Sequence, residues 1–239
     1  MARFIDLSME VSNDMITFPR VAKPCFAMLE SHEEFARNVG AARYGVTWLT
    51  AHYLAVLSDH AGTHIDSLKH MRADAPGPES IPLEYCYGDG VVLDFTYKPA
   101  GSGITAEEVQ LELDRAGYTL KPLDIVLIKT GASRYNQSER YLYDHCGMTR
   151  EATLWLIDQG IKVMGIDAVT FDLPVKAMFE QQKFWEAHRV MLEREYYHLE
   201  NLANLDQIPV PFGFKVAVFP IKWKGTTGAP VRAVAILED

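Results

Sequence analysis

A mixed α and β fold, laid out as one domain over residues 1–239, is what this sequence predicts, and three observations predict it. Short apolar runs rich in Val and Ile recur with Gly or Pro nearby, the mark of strands. Two intervening segments carry apolar residues at helical spacing behind a capping residue. One of those helices lies between two strand runs, the order that makes a parallel crossover. No repeat, low-complexity tract or linker interrupts the 239 residues, a length that buries a substantial core.

Taken in chain order, "RFIDLS" is the opening strand and "GVVLDFT" (90–96) the next strong one. The segment "TAEEVQLELDRAG" (105–117) is a helix. Thr105 and Glu108 form its capping box, Val109, Leu113 and Ala116 its apolar face, and Gly117 its stop. "DIVLIKT" (124–130) is a strand, "TREATLWLIDQG" (149–160) a helix and "IKVMGID" (161–167) a strand. In that helix Thr149 caps, Leu154, Leu156 and Ile157 point inward, and Gly160 terminates. The three elements form a right-handed β-α-β unit with its strands parallel. "FWEAHRVMLEREYYH" is expected to be an amphipathic core helix. "FKVAVFPI" (214–221) and "VRAVAIL" (231–237) close the fold, joined by "KWKGTTGAP" as a Gly-rich hairpin. That hairpin lacks the G-K-[ST] of a phosphate-binding loop. Phe18, Phe26, Phe35, Tyr44, Trp48 and Tyr53 are expected mainly in the core, because aromatics carry much of any apolar interior.

Composition excludes several functions. The net charge of −9, with no compensating Lys/Arg cluster, argues against a nucleic-acid surface. No apolar run reaches the roughly 18 residues that mark a membrane span. Cys25, Cys86 and Cys146 are odd in number, far apart and without a C-x-x-C, which fits a reducing compartment. The N-terminus lacks the layout of a signal peptide, so a cytoplasmic protein is expected.

The chemistry concentrates in "SDHAGTHIDSLKHM" (58–71), with three histidines and two aspartates in fourteen positions. Imidazole nitrogen and carboxylate oxygen are donors that zinc and its neighbours accept at about 2.0–2.2 Å. His64 and Asp66 lie two apart and face one side of an extended segment. His60 shares their parity, but in a fully extended chain its Cα would lie about 13 Å from that of His64. A bend is therefore required, and Gly62 permits one. A zincin helix is a poor fit, since Ala61 stands where that motif needs its general-base Glu. Singly, each histidine is most simply structural or exposed; in phase with Asp66 they point to a divalent metal. "FWEAHRVMLEREYYHLENLANL" adds His188 and, downstream, Glu200, although spacing alone nominates Glu193, Glu195 or His198 equally.

The stretch "HAGTHIDSLKH" resembles the H-x-G-T-H-x-D-x-P-x-H signature of the cyclase-like metal-dependent hydrolases, which include kynurenine formamidases, isatin hydrolases, trans-dienelactone hydrolases and some polyketide cyclases. "FIDLSMEV" is similar to that family's opening strand, "GIDAVTFD" (165–172) to its G-I-D-x-x-S-x-D segment, and "HRVMLEREYYHLENL" to its late H…E-N-L segment. "GAPVRAVAI" resembles its closing strand. The resemblance implies a swivelling β/β/α domain with one or two ions, zinc or else manganese. It places His60, His64, Asp66 and Glu200 on a first ion, and Asp66, His188 and Glu200 on a second, with both carboxylates bridging. Glu200 is chosen over its acidic neighbours because it precedes Asn201 and Leu202. His70 matches the general acid/base, a role that Lys69 beside it would fill poorly at neutral pH.

Four departures accompany the match. Leu68 replaces the motif's proline, Thr170 stands where Ser is common, and the segment 30–54 is long. "TFPRVAKP" replaces an early Trp-Pro-Gly-Asp segment, which leaves Phe18 as the substrate-contacting aromatic. The implied reaction is attack of metal-activated water on an amide, lactam or lactone carbonyl of a small cyclic or aromatic compound; a metal-assisted cyclase or lyase is the alternative. A homodimer or homotetramer is implied, with a small molecule rather than nucleic acid or membrane as partner.

Overall fold

The strand segments form, but the chain assembles them out of sequence order. A computed structural model of the protein describes residues 1–238. In chain order the strands are β1 (Arg3–Asp6), β2 (Cys25–Glu30), β3 (His52–Val56), β4 (His64–Asp66), β5 (Tyr87–Asp94), β6 (Gly103–Ile104), β7 (Ile125–Lys129), β8 (Gly147–Met148), β9 (Val163–Ile166), β10 (Tyr197–Glu200), β11 (Phe212–Ala217), β12 (Gly228–Pro230) and β13 (Val234–Leu237). The α-helices are α1 (His32–Asn38), α2 (Ala106–Ala116), α3 (Arg150–Asp158) and α4 (Val175–Gln181). Nine strands join in one mixed sheet, ordered β1-β13-β11-β5-β7-β9-β10-β4-β12, so the expected mixed α and β class is what forms.

The sheet's centre runs parallel, from β5 through β7 and β9 to β10. Parallel strands are covered on both faces and therefore read as continuous apolar runs. Ile125–Ile128 and Val163–Ile166 are accordingly buried throughout. The β7–α3–β9 crossover forms as the sequence predicts. Thr105 and Glu108 make the reciprocal cap of α2, and Gly117 ends it in the left-handed conformation. Thr149 caps α3 through the Ala152 amide; Leu156 and Ile157 are buried, while Leu154 is only half-buried and Thr153 takes an inward place. Helices α2 and α3 pack on each other, and α2 also packs on β5.

Three expectations are corrected. The connection after β11 is not a simple hairpin, because β12 within it crosses to pair with β4 at the sheet's far edge. "FWEAHRVMLEREYYH" is not a helix: a 3-10 turn at His188–Leu192 gives way to β10. Left-handed Gln182 and Trp185 break the run before it. The open edge of β9 then captures the chain, with the Tyr197 amide donating to the Lys162 carbonyl at 2.9 Å. Strand pairing outweighs helical periodicity here. Finally, Tyr44, Trp48 and Tyr53 lie outside the core, each more than half exposed, along or beside the separate β2–β3 hairpin. Among the described residues no helix is long and apolar enough to cross a membrane.

One buried group makes the core acid-sensitive. Among the described residues His145, 2% exposed, has only the Cys146 carbonyl on Nδ1 and nothing on Nε2, and burial pushes its pKa down to about 4. The unfolded chain holds that proton up to about pH 6.5. The unfolded state therefore binds more protons between pH 4 and 6.5, and stability falls as pH drops through that window. The loss from this group is on the order of 3 kcal/mol. Denaturant midpoints measured from pH 7 to pH 4.5 should show that slope, and His145→Gln should flatten it; an unchanged slope would assign it elsewhere.

Candidate metal centre

The site is built on the pairing of β4 with β10. Their antiparallel register sets His64 opposite Glu200 and Asp66 opposite His198. Side chains alternate along a strand, so residues two apart share a face, and directly opposed residues on that face are neighbours. The four side chains thus form a compact, buried group on one face, none more than 6% exposed. The next strand outward, β12, backs β4, with Gly228 opposite Asp66. A Cβ there would come within 2.9 Å of the His60 ring, which explains the glycine.

Two further imidazoles enter from outside these strands. The loop before β4 bends at Gly62, whose φ of 68° supplies the expected turn and brings His60 back over the strand. Asp59 pins that loop by accepting from the Thr227 amide and hydroxyl and the Gly228 amide. The Thr63 hydroxyl accepts from the Met9 amide and donates to the Asn201 carbonyl. His188 comes from the 3-10 turn before β10.

Each of three imidazoles has one nitrogen anchored and the other aimed at the carboxylates. His60 Nε2 meets the Thr227 hydroxyl at 2.8 Å, leaving Nδ1 at 2.9 Å from Asp66 Oδ1. His64 Nδ1 meets the Gly62 carbonyl at 2.8 Å, leaving Nε2 at 3.2 Å from Asp66 Oδ1 and 3.6 Å from Glu200 Oε2. His188 Nδ1 meets Asp172 Oδ2 at 2.5 Å, leaving Nε2 at 3.5 Å from Asp66 Oδ2 and 3.4 Å from Glu200 Oε1. Metal-bound histidines show this arrangement, the outer hydrogen bond fixing tautomer and ring plane. Asp172 is held in turn by the Ala187 and His188 amides. Its backbone passes so close to Gly147 that a Cβ there would lie 2.0 Å from the Asp172 carbonyl oxygen.

The donor set fits a divalent cation. Among the described residues both Asp66 oxygens and His64 Nε2 are buried without a hydrogen-bond partner, although leaving a buried carboxylate unpaired is costly. The oxygens of each carboxylate divide between two groups, Asp66 Oδ1 and Glu200 Oε2 toward His60 and His64, and Asp66 Oδ2 and Glu200 Oε1 toward His188. Burial works against ionising Asp66, but the charges of His60 and His70 outweigh it and hold the carboxyl well below its usual range. Glu200 is likewise lowered against its burial, by the His198 and His188 rings. His188 is held well above its ordinary value despite burial, chiefly by Asp172 and Asp66. Protons on His60 and His188, both raised in pKa, balance the carboxylates, and a cation would replace them.

The expected residues therefore come together: His60, His64, Asp66, His188 and Glu200 converge, and His70 Nε2 stands 3.7 Å from Asp66 Oδ2. Leu68, in the proline's place, buries its side chain and starts the 3-10 turn that carries His70. Burial first, then the charges of His60 and His188, lower the His70 pKa to about 4 against the pull of Asp66. A cavity of about 380 Å³ opens onto the cluster, walled by Phe18, Pro19, Arg20, Val21, Val169, Thr170 and Trp185 and floored by His60, Asp66, His70, His188 and Glu200. Phe18 and Trp185 meet edge to face across it, 6.4 Å between centroids. A turn at residues 17–21, closed by the Val21 amide on the Phe18 carbonyl, presents Phe18.

Sequence reasoning left His198 as one of several open alternatives, used Asn201 only to mark Glu200 and gave Asp172 no role; the structure brings all three in. His198 shares its face with Glu200, a relation visible only once "YHLE" is given a strand's period of two. Asn201 is left-handed at φ 57° and its amide links Tyr141 to the Gly62 carbonyl, which gives the residue after Glu200 a mechanical reason.

A mixed sheet carrying a buried histidine–carboxylate cluster under an apolar cavity defines a metal-centre protein of the α/β class. Residues 5–173 match the family described as putative cyclase, and the chain belongs to that family. It is similar to a kynurenine formamidase of Bacillus anthracis, 23% identical over 235 residues and covering 98% of this chain and 97% of that protein. A kynurenine formamidase of Salinibacter ruber is 25% identical over 232 residues, covering 96% and 95%. Isatin hydrolase A from Labrenzia aggregata, solved with benzyl benzoate, superposes with a TM-score of 0.82 at 25% identity, covering all of this chain and 94% of that one. A further isatin hydrolase, bound to the product analogue thioisatinate, gives 0.84 at 19% identity, covering 100% and 93%.

Asp172→Asn should weaken divalent-metal affinity about 10–100-fold, because an amide nitrogen in place of Oδ2 can no longer accept from the His188 ring and amide, while the remaining oxygen still accepts from Ala187. Equilibrium dialysis followed by elemental analysis reads this directly. Wild-type affinity in the variant would remove Asp172 from the centre.

Proposed function

We propose that this protein is a metal-dependent hydrolase that opens a C–N or ester bond at the carbonyl of a small cyclic or aromatic compound. Arylformamides and isatin-like lactams are the substrate classes that its relatives support, and lactones are added by the sequence resemblance alone. The observation that carries the reading is the Asp66 carboxylate, buried with neither oxygen hydrogen-bonded, ringed by imidazole nitrogens at the floor of an apolar cavity. His60, His64, Asp66 and Glu200 would hold one ion, and Asp66, His188 and Glu200 a second; zinc suits these N and O donors, with manganese as the other candidate. A bound divalent cation supplies Lewis acidity and lowers the pKa of water toward 7.

The chain's own residues do the rest. Phe18 and Trp185 present apolar ring surface that can hold a planar substrate and displace water. His70 borders the cavity and keeps 32% of its side chain exposed, so it can reach substrate and exchange protons with solvent. With its pKa lowered, the imidazole is neutral near pH 7 and free to accept a proton at Nε2 or Nδ1, then deliver it to the leaving nitrogen or oxygen. Asp66 Oδ2 lies 3.7 Å from His70 Nε2, and its charge favours the protonated ring.

His70→Ala should retain metal and lose about 10²–10⁴-fold in kcat, while Asp66→Ala should lose both metal and turnover. Undiminished turnover in His70→Ala would strip His70 of the role. Incubation in ¹⁸O-labelled water should label the product; an unlabelled product of unchanged mass would favour the cyclase or lyase alternative, which the family's description keeps open.

We further propose a homodimer or homotetramer whose contact includes the β2–β3 hairpin. Met28, Leu29, Trp48, Tyr53, Leu54 and Val56 are each more than half exposed there. A two-stranded hairpin is marginal in water by itself, and an exposed apolar surface of this kind marks an interface. Leu54→Asp should lower the solution mass measured by light scattering; an unchanged mass would take the hairpin out of the contact. The three unpaired cysteines are consistent with a reducing, cytoplasmic setting.

A further inference from the structure

We propose that His198 is a fourth protein ligand of the second ion, so that this ion is enclosed by protein donors and leaves the cavity-facing chemistry to the first. This rests on the metal-centre reading and adds a donor to it. His198 Nε2 lies 3.3 Å from His188 Nε2, 3.3 Å from Asp66 Oδ2 and 3.6 Å from Glu200 Oε1. His188 Nε2 lies 3.5 Å from Asp66 Oδ2 and 3.4 Å from Glu200 Oε1. Donors bound at about 2.1 Å on the corners of a tetrahedron stand about 3.4 Å apart. Five edges of the figure formed by these four atoms therefore have the length that a four-coordinate first-row ion imposes.

The ring's setting agrees. His198 is fully buried, on β10 opposite Asp66 and two residues before Glu200. Phe171 stacks on it, centroids 4.7 Å apart and planes 11° apart, and Tyr196 flanks it at 5.6 Å. Its Nδ1 has no hydrogen-bond partner among the described residues, so packing rather than an outer hydrogen bond sets the ring plane. Nε2 faces the donor cluster. His188 and Glu200 line the cavity, whereas His198 stands behind them, away from where substrate would enter. Four protein donors characterise closed, structural zinc sites, and catalytic sites keep a position open. The competing reading is a plain hydrogen bond from His198 to His188 or Asp66, with no ion involved.

Metal-stripped wild-type and His198→Gln proteins are reloaded with Zn²⁺ and analysed by equilibrium dialysis. The wild type should take up two ions per chain. His198→Gln should keep one and bind the other at least about 100-fold more weakly, beyond the loss that an outer partner causes. His198→Glu, which restores a donor, should recover the second ion. Two equally tight ions in His198→Gln, or one ion in the wild type with no response to the substitution, would overturn the proposal while leaving the metal-centre reading intact. No ion in the wild type would end both. Should His198→Gln fail to fold, Co²⁺ titration of the wild type decides. An intense four-coordinate visible band at the second equivalent upholds the proposal, and a weak six-coordinate spectrum overturns it.

Discussion

The β4–β10 ladder is the constraint on which the centre depends. Three residues on one strand and four on the other, in one antiparallel register, account for His64, Asp66, His198 and Glu200 sharing a face. A slip by one residue would turn the slipped strand's pair to the opposite face, away from the pair on its partner. The register is guarded from both sides: β9 pairs with β10 in parallel, and β12 pairs with β4. The left-handed Asn201, bonded to Tyr141 and to the Gly62 carbonyl, then fixes where β10 ends relative to the loop that carries His60.

Around that ladder, the molecule spends its polar interactions on aiming rings. Thr227, Gly62 and Asp172 each occupy one nitrogen of a histidine, so that the other faces the carboxylates. Each anchor is itself held, Thr227 by Asp59 and Asp172 by two backbone amides. Gly147 is part of the same device, since the space beside it belongs to the Asp172 carbonyl. Preorganisation of this kind keeps donors in place without the ion, and lets the ion replace protons rather than rebuild the site.

Much of this was legible in the sequence, for identifiable reasons. The strands β7 and β9 and the helices α2 and α3 announce themselves because their local propensity, capping and burial agree. His60, His64, Asp66 and His70 were legible because they lie within eleven positions of one another, with Gly62 marking the bend. His198 could not be told from Glu193 and Glu195 because "EREYYHLEN" carries helical periodicity while the strand it forms owes its existence to the distant β9 edge. β12 was hidden, being a three-residue strand whose partner lies more than 160 positions earlier. The aromatics of the β2–β3 hairpin show the reverse error, because apolar character does not tell which surface will cover it.

The contact between His60 and Thr227 spans 167 residues of chain. A site that needs both ends of such a span cannot assemble piecemeal during synthesis, and non-local closures of this length are slow to form. The nascent polypeptide therefore exposes its histidines and acidic groups individually, as weak, unselective binders of whatever cations surround it. Selectivity arrives late and all at once, when the edge strand docks, which makes ion capture a report on completed folding.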